Sequence, residues 1–121
     1  MNALLITGTD TDAGKTVLTT ALLAYWRRYC KSRSLGVMKP VQSGVGDREL
    51  YTRLFGLDAD EVNPLHFAAP LAPPLAAELE GRRIELEKVW QAFDTLRQKY
   101  DWVLVEALGG LGSPVTRQMT V

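Results

Sequence analysis

Apolar and polar positions along this chain fall into two rhythms, short continuous runs and stripes at helical spacing. Ala3–Thr7 is a short apolar run and predicts a buried strand. From Lys15 to about Tyr29 the spacing predicts a helix. Val17, Leu18, Ala21, Leu22, Tyr25 and Trp26 give it a broad apolar face, and Arg27 and Arg28 sit in its last turn, where they suit the helix dipole. Leu35–Met38, entered from Ser32–Ser34, predicts a second buried strand. The polar, glycine-containing stretch Gln42–Gly46 reads as a loop. Leu50, Tyr51, Leu54 and Phe55 then recur at helical spacing and stop at Gly56, a good helix terminator. Leu57 to Pro74 is proline-rich and predicts a long irregular passage, of a length usually kept for function. Leu86 to Tyr100 is an amphipathic helix with Leu86, Val89, Trp90, Phe93 and Leu96 on one side. Trp102–Glu106 closes the series as an apolar strand that follows Asp101 and ends on a carboxylate.

Strand, helix, strand, helices, strand is the order of a parallel α/β sheet with right-handed crossovers. Residues 1–121 are expected to form a single domain with a modest core. Three strands are few for such a sheet. Nothing after the Gly109-Gly110 turn would cover its far side, so the fold is expected to be incomplete. Composition adds boundaries rather than a function. Apolar residues make up 46% of the chain, and 14 Lys and Arg balance 14 Asp and Glu, so no basic surplus points to nucleic acid or to an anionic membrane. The single cysteine, Cys30, cannot form an internal disulfide and reads as a small helix hydrophobe. With no signal-like segment and no membrane-length apolar run, a cytoplasmic protein is expected.

The chemistry concentrates at the first strand-to-helix junction, Gly8-Thr9-Asp10-Thr11-Asp12-Ala13-Gly14-Lys15-Thr16. Such a loop turns backbone N–H groups toward an anion at a helix start. A lysine there reaches the outer phosphates and a following Ser or Thr can ligate Mg²⁺. Five residues rather than four separate Gly8 from Gly14, but the Gly-Lys-Thr core and its strand-before, helix-after setting are intact. A nucleoside-triphosphate site of the P-loop kind follows.

In parallel sheets, ligands bind at the carboxyl ends of the strands. Lys39–Ser43 and Glu106 fall at two further such ends, so one composite site is expected. Glu106 closes Val103-Leu104-Val105 as a metal- or water-coordinating acid would. Lys39 can add a cation near transferred phosphate or be a solvated residue before a proline turn. Ser43 can bond a substrate oxygen or its own loop. Asp47 precedes a short helix and reads first as an N-cap, though a capping aspartate can also present its second oxygen to Mg²⁺. Asp12 inside the phosphate loop needs a cation or an amine beside it, or plain exposure to water. His66 is a lone histidine and is given no role.

Three segments together resemble dethiobiotin synthetase: the Gly8–Thr16 loop, Lys39-Pro40-Val41-Gln42-Ser43-Gly44, and Val105-Glu106-Ala107-Leu108-Gly109-Gly110-Leu111. Asp47 with Leu50-Tyr51, and Asn63-Pro64 with Pro70 and Pro73, fit the same pattern. The resemblance runs from Leu4 to Val121 and covers the N-terminal portion of the family. It implies a P-loop NTPase-like parallel sheet with flanking helices, and formation of dethiobiotin from 7,8-diaminononanoate, CO₂ (or bicarbonate) and ATP with Mg²⁺. The route it implies is a phosphorylated carbamate followed by closure of a ureido ring. By the same resemblance Asp12, Ala13, Gly14, Lys15 and Thr16 bind the ATP phosphates, and Thr16, Asp47 and Glu106 share Mg²⁺. Lys39, Lys15 and Thr11 are then catalytic, and Thr11 and Ser43 bind substrate. A homodimer is implied as well, with small molecules rather than nucleic acid or membrane as partners.

Two departures stand out. Asp12 falls where the family often has glutamate, and Glu106-Ala107-Leu108-Gly109-Gly110 replaces a commoner Glu-Gly-Ala-Gly-Gly, with two bulkier side chains near the ligand. The family's remaining strands are absent, so impaired activity of these residues alone is expected. Three other readings share parts of the pattern. A partitioning-type switch ATPase would place a signature lysine where Asp10 stands. A cobyrinate-type amide synthetase would bring a glutaminase domain. A nucleotide-binding module would lack catalysis.

Overall fold

The computed structural model describes residues 2–9, 14–109, 115, 116 and 118. Three parallel strands form the main sheet: β1 (Ala3–Ile6), β2 (Leu35–Met38) and β5 (Trp102–Glu106), in the order β1-β5-β2. Ala3 pairs with Val103 and Ile6 with Glu106, while Leu35 pairs with Trp102 and Met38 with Val105. This register does the essential positioning. The carboxyl ends of all three strands come level, so the residues that follow Ile6 and Met38 emerge beside Glu106.

Strand alternation then sorts the side chains. Ile6, Leu35, Val37 and Leu104 share one face and pack with Leu23 of α1 (Lys15–Tyr29), Tyr51 of α2 (Asp47–Phe55) and Val62 of α3 (Ala59–Val62). Met38 and Val103 point the other way, onto Leu96 of α5 (Leu86–Lys99). Helices therefore flank both faces of a parallel sheet, the arrangement the hydrophobic runs predict. Glu106 has the parity of Leu104, so it faces α1 and α2. On the opposite face Gly36 lies against Tyr100. A β-carbon at Gly36 would stand 2.5 Å from the Tyr100 ring, so only glycine fits without displacing the aromatic.

Two passages expected to be irregular are ordered. Val41–Ser43 is a strand, β3, not part of a loop, and it pairs in parallel with β4 (Leu65–Phe67) inside the proline-rich passage. Neither segment has enough residues to show a period. Each becomes a strand only because the other lies alongside. The passage also holds α3, capped by Asp58, whose carboxylate accepts from the N–H groups of Asp60 and Glu61. α4 (Pro73–Leu79) begins with proline in its first turn, where the missing N–H costs nothing. Val41, Leu65, Phe67, Ala76 and Ala77 make a second apolar cluster under this unit.

Two helix faces differ from the expectation. In α1 the buried side is Lys15, Thr19 and Leu23, with Leu22 and Trp26 packed beside them. Leu18 and Tyr25 are exposed, and Val17 is 74% exposed. In α5 Leu96 is buried with Val89 and Phe93 against it, but Trp90 is 67% exposed. The apolar stripes are wider than the sheet beneath them. Among the described residues no helix is long and apolar enough to cross a membrane.

Candidate active site

A cavity of about 320 Å³ opens at the carboxyl end of the sheet, lined by Gly14, Lys15, Thr16, Lys39, Gln42, Ser43, Asp47, Glu106, Leu108 and Gly109 among others. Four separate segments supply it. The first turn of α1 brings Lys15 and Thr16, the end of β2 brings Lys39, the start of α2 brings Asp47, and the end of β5 brings Glu106. Gly14 enters α1 at φ 93°, a left-handed conformation that glycine adopts at no steric cost, and its carbonyl accepts from Leu18. Lys15 is buried at the first helical position. Thr11, Asp12 and Ala13, the remaining predicted loop residues, lie outside the described residues.

At the centre the Thr16 hydroxyl stands 2.7 Å from Asp47 Oδ1 and 2.8 Å from Glu106 Oε1. Lys39 Nζ pairs with Asp47 Oδ2 and lies 3.5 Å from Glu106 Oε1. Tyr51 donates its hydroxyl to Glu106 Oε2. Glu106 has no exposed surface and Lys39 is buried. Burial pushes the Asp47 carboxyl up, but the Lys39 ammonium and the Thr16 hydroxyl outweigh it and hold the group below its usual range. The Tyr51 hydroxyl is pushed up by burial and by the neighbouring Glu106 charge, so it stays a proton donor.

This donor set fits a hard divalent cation. The Thr16 hydroxyl has one proton to offer two carboxylates, so one of its two close contacts is oxygen against oxygen and calls for positive charge. Adjacent oxygens around an octahedral Mg²⁺ stand about 2.9 Å apart, close to the spacings found here. Two carboxylates and a hydroxyl beside a phosphate loop are also what a cation shared with substrate phosphates requires.

Asp47 does not cap its helix. It is the first residue of α2, and its carboxylate is turned to Thr16 and Lys39. Neighbours do the capping: Gln42 Oε1 accepts the Arg48 N–H at 2.7 Å, and the Glu49 carboxylate accepts the Gly46 N–H at 2.7 Å. Ser43 lines the cavity with a buried hydroxyl that has no hydrogen-bond partner among the described residues. The bulkier loop after Glu106 is accommodated in part by Leu108 packing onto the β3–β4 cluster. His66 Nε2 sits 2.9 Å from the Gly44 carbonyl and ties the end of β3 to β4.

Two residues with clear work at the site belong to the resemblance pattern but have no role that the sequence shows. Asn63, fully buried, donates to the carbonyls of Lys39 and Leu65 at 2.8 and 3.1 Å and so fixes the chain that carries Lys39. In the sequence Tyr51 is an apolar helix position and a member of the Asp47, Leu50-Tyr51 pattern, with no role of its own. The signal was its place four residues after Asp47, on the same helix face.

A parallel α/β sheet with Gly-Lys-Thr opening the first helix, and carboxylates and a lysine gathered at the strand ends, is the arrangement of the P-loop class. The chain belongs to the AAA_26 family, described as an AAA domain, whose profile matches residues 2–121. Among curated proteins it is similar to the ATP-dependent dethiobiotin synthetase BioD of Gloeothece citriformis, 58% identical over the whole chain and 54% of that protein. It is likewise similar to the BioD of Synechocystis, 58% identical over 98% of the chain and 51% of that protein. With the BioD of Gloeobacter violaceus it shares 45% identity over the whole chain and 52% of that protein. The chain thus spans about half the length of the curated relatives it matches, and the dethiobiotin synthetase resemblance holds over all of it.

Proposed function

We propose that these residues form the phosphate- and Mg²⁺-binding part of an ATP-dependent dethiobiotin synthetase. The observation that carries the reading is the convergence of Lys15, Thr16, Lys39, Asp47 and Glu106 from four chain segments on one cavity, within a sequence 58% identical to proteins of that name. The reaction joins CO₂ to one amine of 7,8-diaminononanoate as a carbamate. A carbamate oxygen then takes the γ-phosphoryl group as its bond to ADP breaks. Finally the second amine attacks the carbamate carbon and inorganic phosphate leaves, closing the ureido ring.

Such chemistry asks for positioning and charge neutralisation more than for covalent catalysis. Lys15 and the Gly14-bearing loop hold the outer phosphates, with Asp12 and Ala13 in the same loop. Thr16, Asp47 and Glu106 would hold Mg²⁺, which supplies charge neutralisation on the phosphoryl oxygens. Lys39 offsets charge on the carbamate and the transferred group. Thr11 and Ser43 bond the carbamate or substrate, and the unpartnered Ser43 hydroxyl supports its share of that role. On the same resemblance the whole protein is a cytoplasmic homodimer that works on small molecules, and the balanced charge agrees with that.

The test is mass-spectrometric detection of dethiobiotin from the full-length protein supplied with MgATP, bicarbonate and 7,8-diaminononanoate. Product is expected only with all three, and Glu106→Gln should lower the rate by at least about 100-fold. Absence of product from a folded, nucleotide-binding sample overturns the reading.

A further inference from the structure

Tyr51 reaches the site from within the core. Its ring has no exposed surface and packs with Ile6, Leu23, Val37 and Leu104. Its hydroxyl passes beneath the cavity to Glu106 Oε2, while Thr16 and Lys39 approach the other oxygen, Oε1. We infer that Tyr51 is a positioning residue, which clamps one oxygen of Glu106 so that the other is held toward Thr16 and Asp47 as a cation ligand. The inference rests on the metal-site reading proposed above.

A buried carboxylate accepts at both oxygens, and Tyr51 is the donor at the one that Thr16 and Lys39 do not approach. A neutral donor suits that place: a second ammonium or guanidinium, added to Lys39, would oppose a divalent cation at Oε1, whereas a phenol bonds Oε2 without adding charge. Removing the hydroxyl frees the carboxylate to rotate away from the cavity, which loosens the cation's seat. A tyrosine retained only to fill the core would behave differently, since its hydroxyl would add stability without bearing on metal binding.

The two roles separate in Tyr51→Phe, which keeps the ring. Mn²⁺ binding to the full-length protein with ATP present, read by electron paramagnetic resonance, is the measurement, with Glu106→Gln and the double variant alongside. Leu35→Ala serves as a core control from the same apolar cluster at the far end of β2. The expected result is a Mn²⁺ dissociation constant raised at least about tenfold by Tyr51→Phe. Leu35→Ala should leave it unchanged, and Tyr51→Phe should add little once Glu106 is already Gln. Wild-type affinity in Tyr51→Phe, with affinity lost in Glu106→Gln, overturns the positioning role and leaves the metal site standing. Wild-type affinity in both variants overturns the metal-site reading and the inference with it. If Tyr51→Phe does not fold, the assigned Tyr51 ring-carbon resonance of the wild type decides. A shift on adding Mg²⁺ to the ATP-bound protein supports the role, and no shift overturns it.

Discussion

Lys39 stands between two carboxylates that would otherwise repel each other. With its ammonium in place, Asp47 and Glu106 share one positive charge and the proton of Thr16. Lys39→Met would leave the buried Glu106 and the half-buried Asp47 without that charge. Removing one member of a buried ionic group typically costs about 3–5 kcal/mol, because the partners stay buried and uncompensated. The variant should unfold at distinctly lower urea concentration than wild type in metal-free buffer. Saturating Mg²⁺ with ATP should raise its midpoint more than it raises that of the wild type, since a cation then supplies the missing charge. An equal rise in both proteins would show that the carboxylates do not share a cation.

At the scale of elements, the site depends on how closely β2 approaches its neighbours. Gly36 allows the Tyr100 ring to lie against the strand, and that contact helps seat the end of α5 beside the sheet. Gly36→Ala places a methyl inside the ring's own space, so overpacking of about 1–3 kcal/mol is expected in chemical denaturation. Trimming the ring in Gly36→Ala/Tyr100→Ala should then cost less than the sum of the single changes. The start of α2 illustrates another dependence. Because Gln42 and Glu49 satisfy its first N–H groups, Asp47 is released from capping and its carboxylate is available to the cavity. An aspartate at a helix start invites the cap reading, and only the placement of Gln42 on β3 removes it.

Over the whole molecule, the sheet is covered unevenly. Among the described residues β1 pairs on one side only, with β5, and Leu4 and Leu5, which point to opposite faces, are both exposed, Leu5 by 59%. Val17 and Leu18 of α1 are exposed as well. A parallel strand normally has both faces buried, so this edge is a place for further protein. Studied alone, residues 1–121 should therefore self-associate in sedimentation velocity runs. Leu5→Lys should weaken that association about tenfold or more, the equivalent of losing one buried leucine at about 1.5–3 kcal/mol. A wild-type fragment that stays monomeric at high concentration counts against this surface.

The sequence by itself determined the elements that are long or punctuated: both long helices, the three main-sheet strands, the Gly56 stop and the Gly-Lys-Thr start of α1. Their signals are local, a stripe of apolar positions or a Gly-Lys-Thr after a strand, and need no partner to be read. It also placed Lys39 and Glu106 at strand ends, where ligands bind. Tertiary structure alone decided the rest. β3 and β4 are each too short to show a period and exist through their mutual pairing. Which part of the α1 stripe is buried depends on the width of the sheet beneath it. Tyr51 became part of the site only when the register of β5 brought Glu106 level with Ile6 and the parity of Leu104 turned its carboxylate toward α2. A side chain's periodicity shows that it faces inward, but what it meets there is fixed by segments distant in the chain.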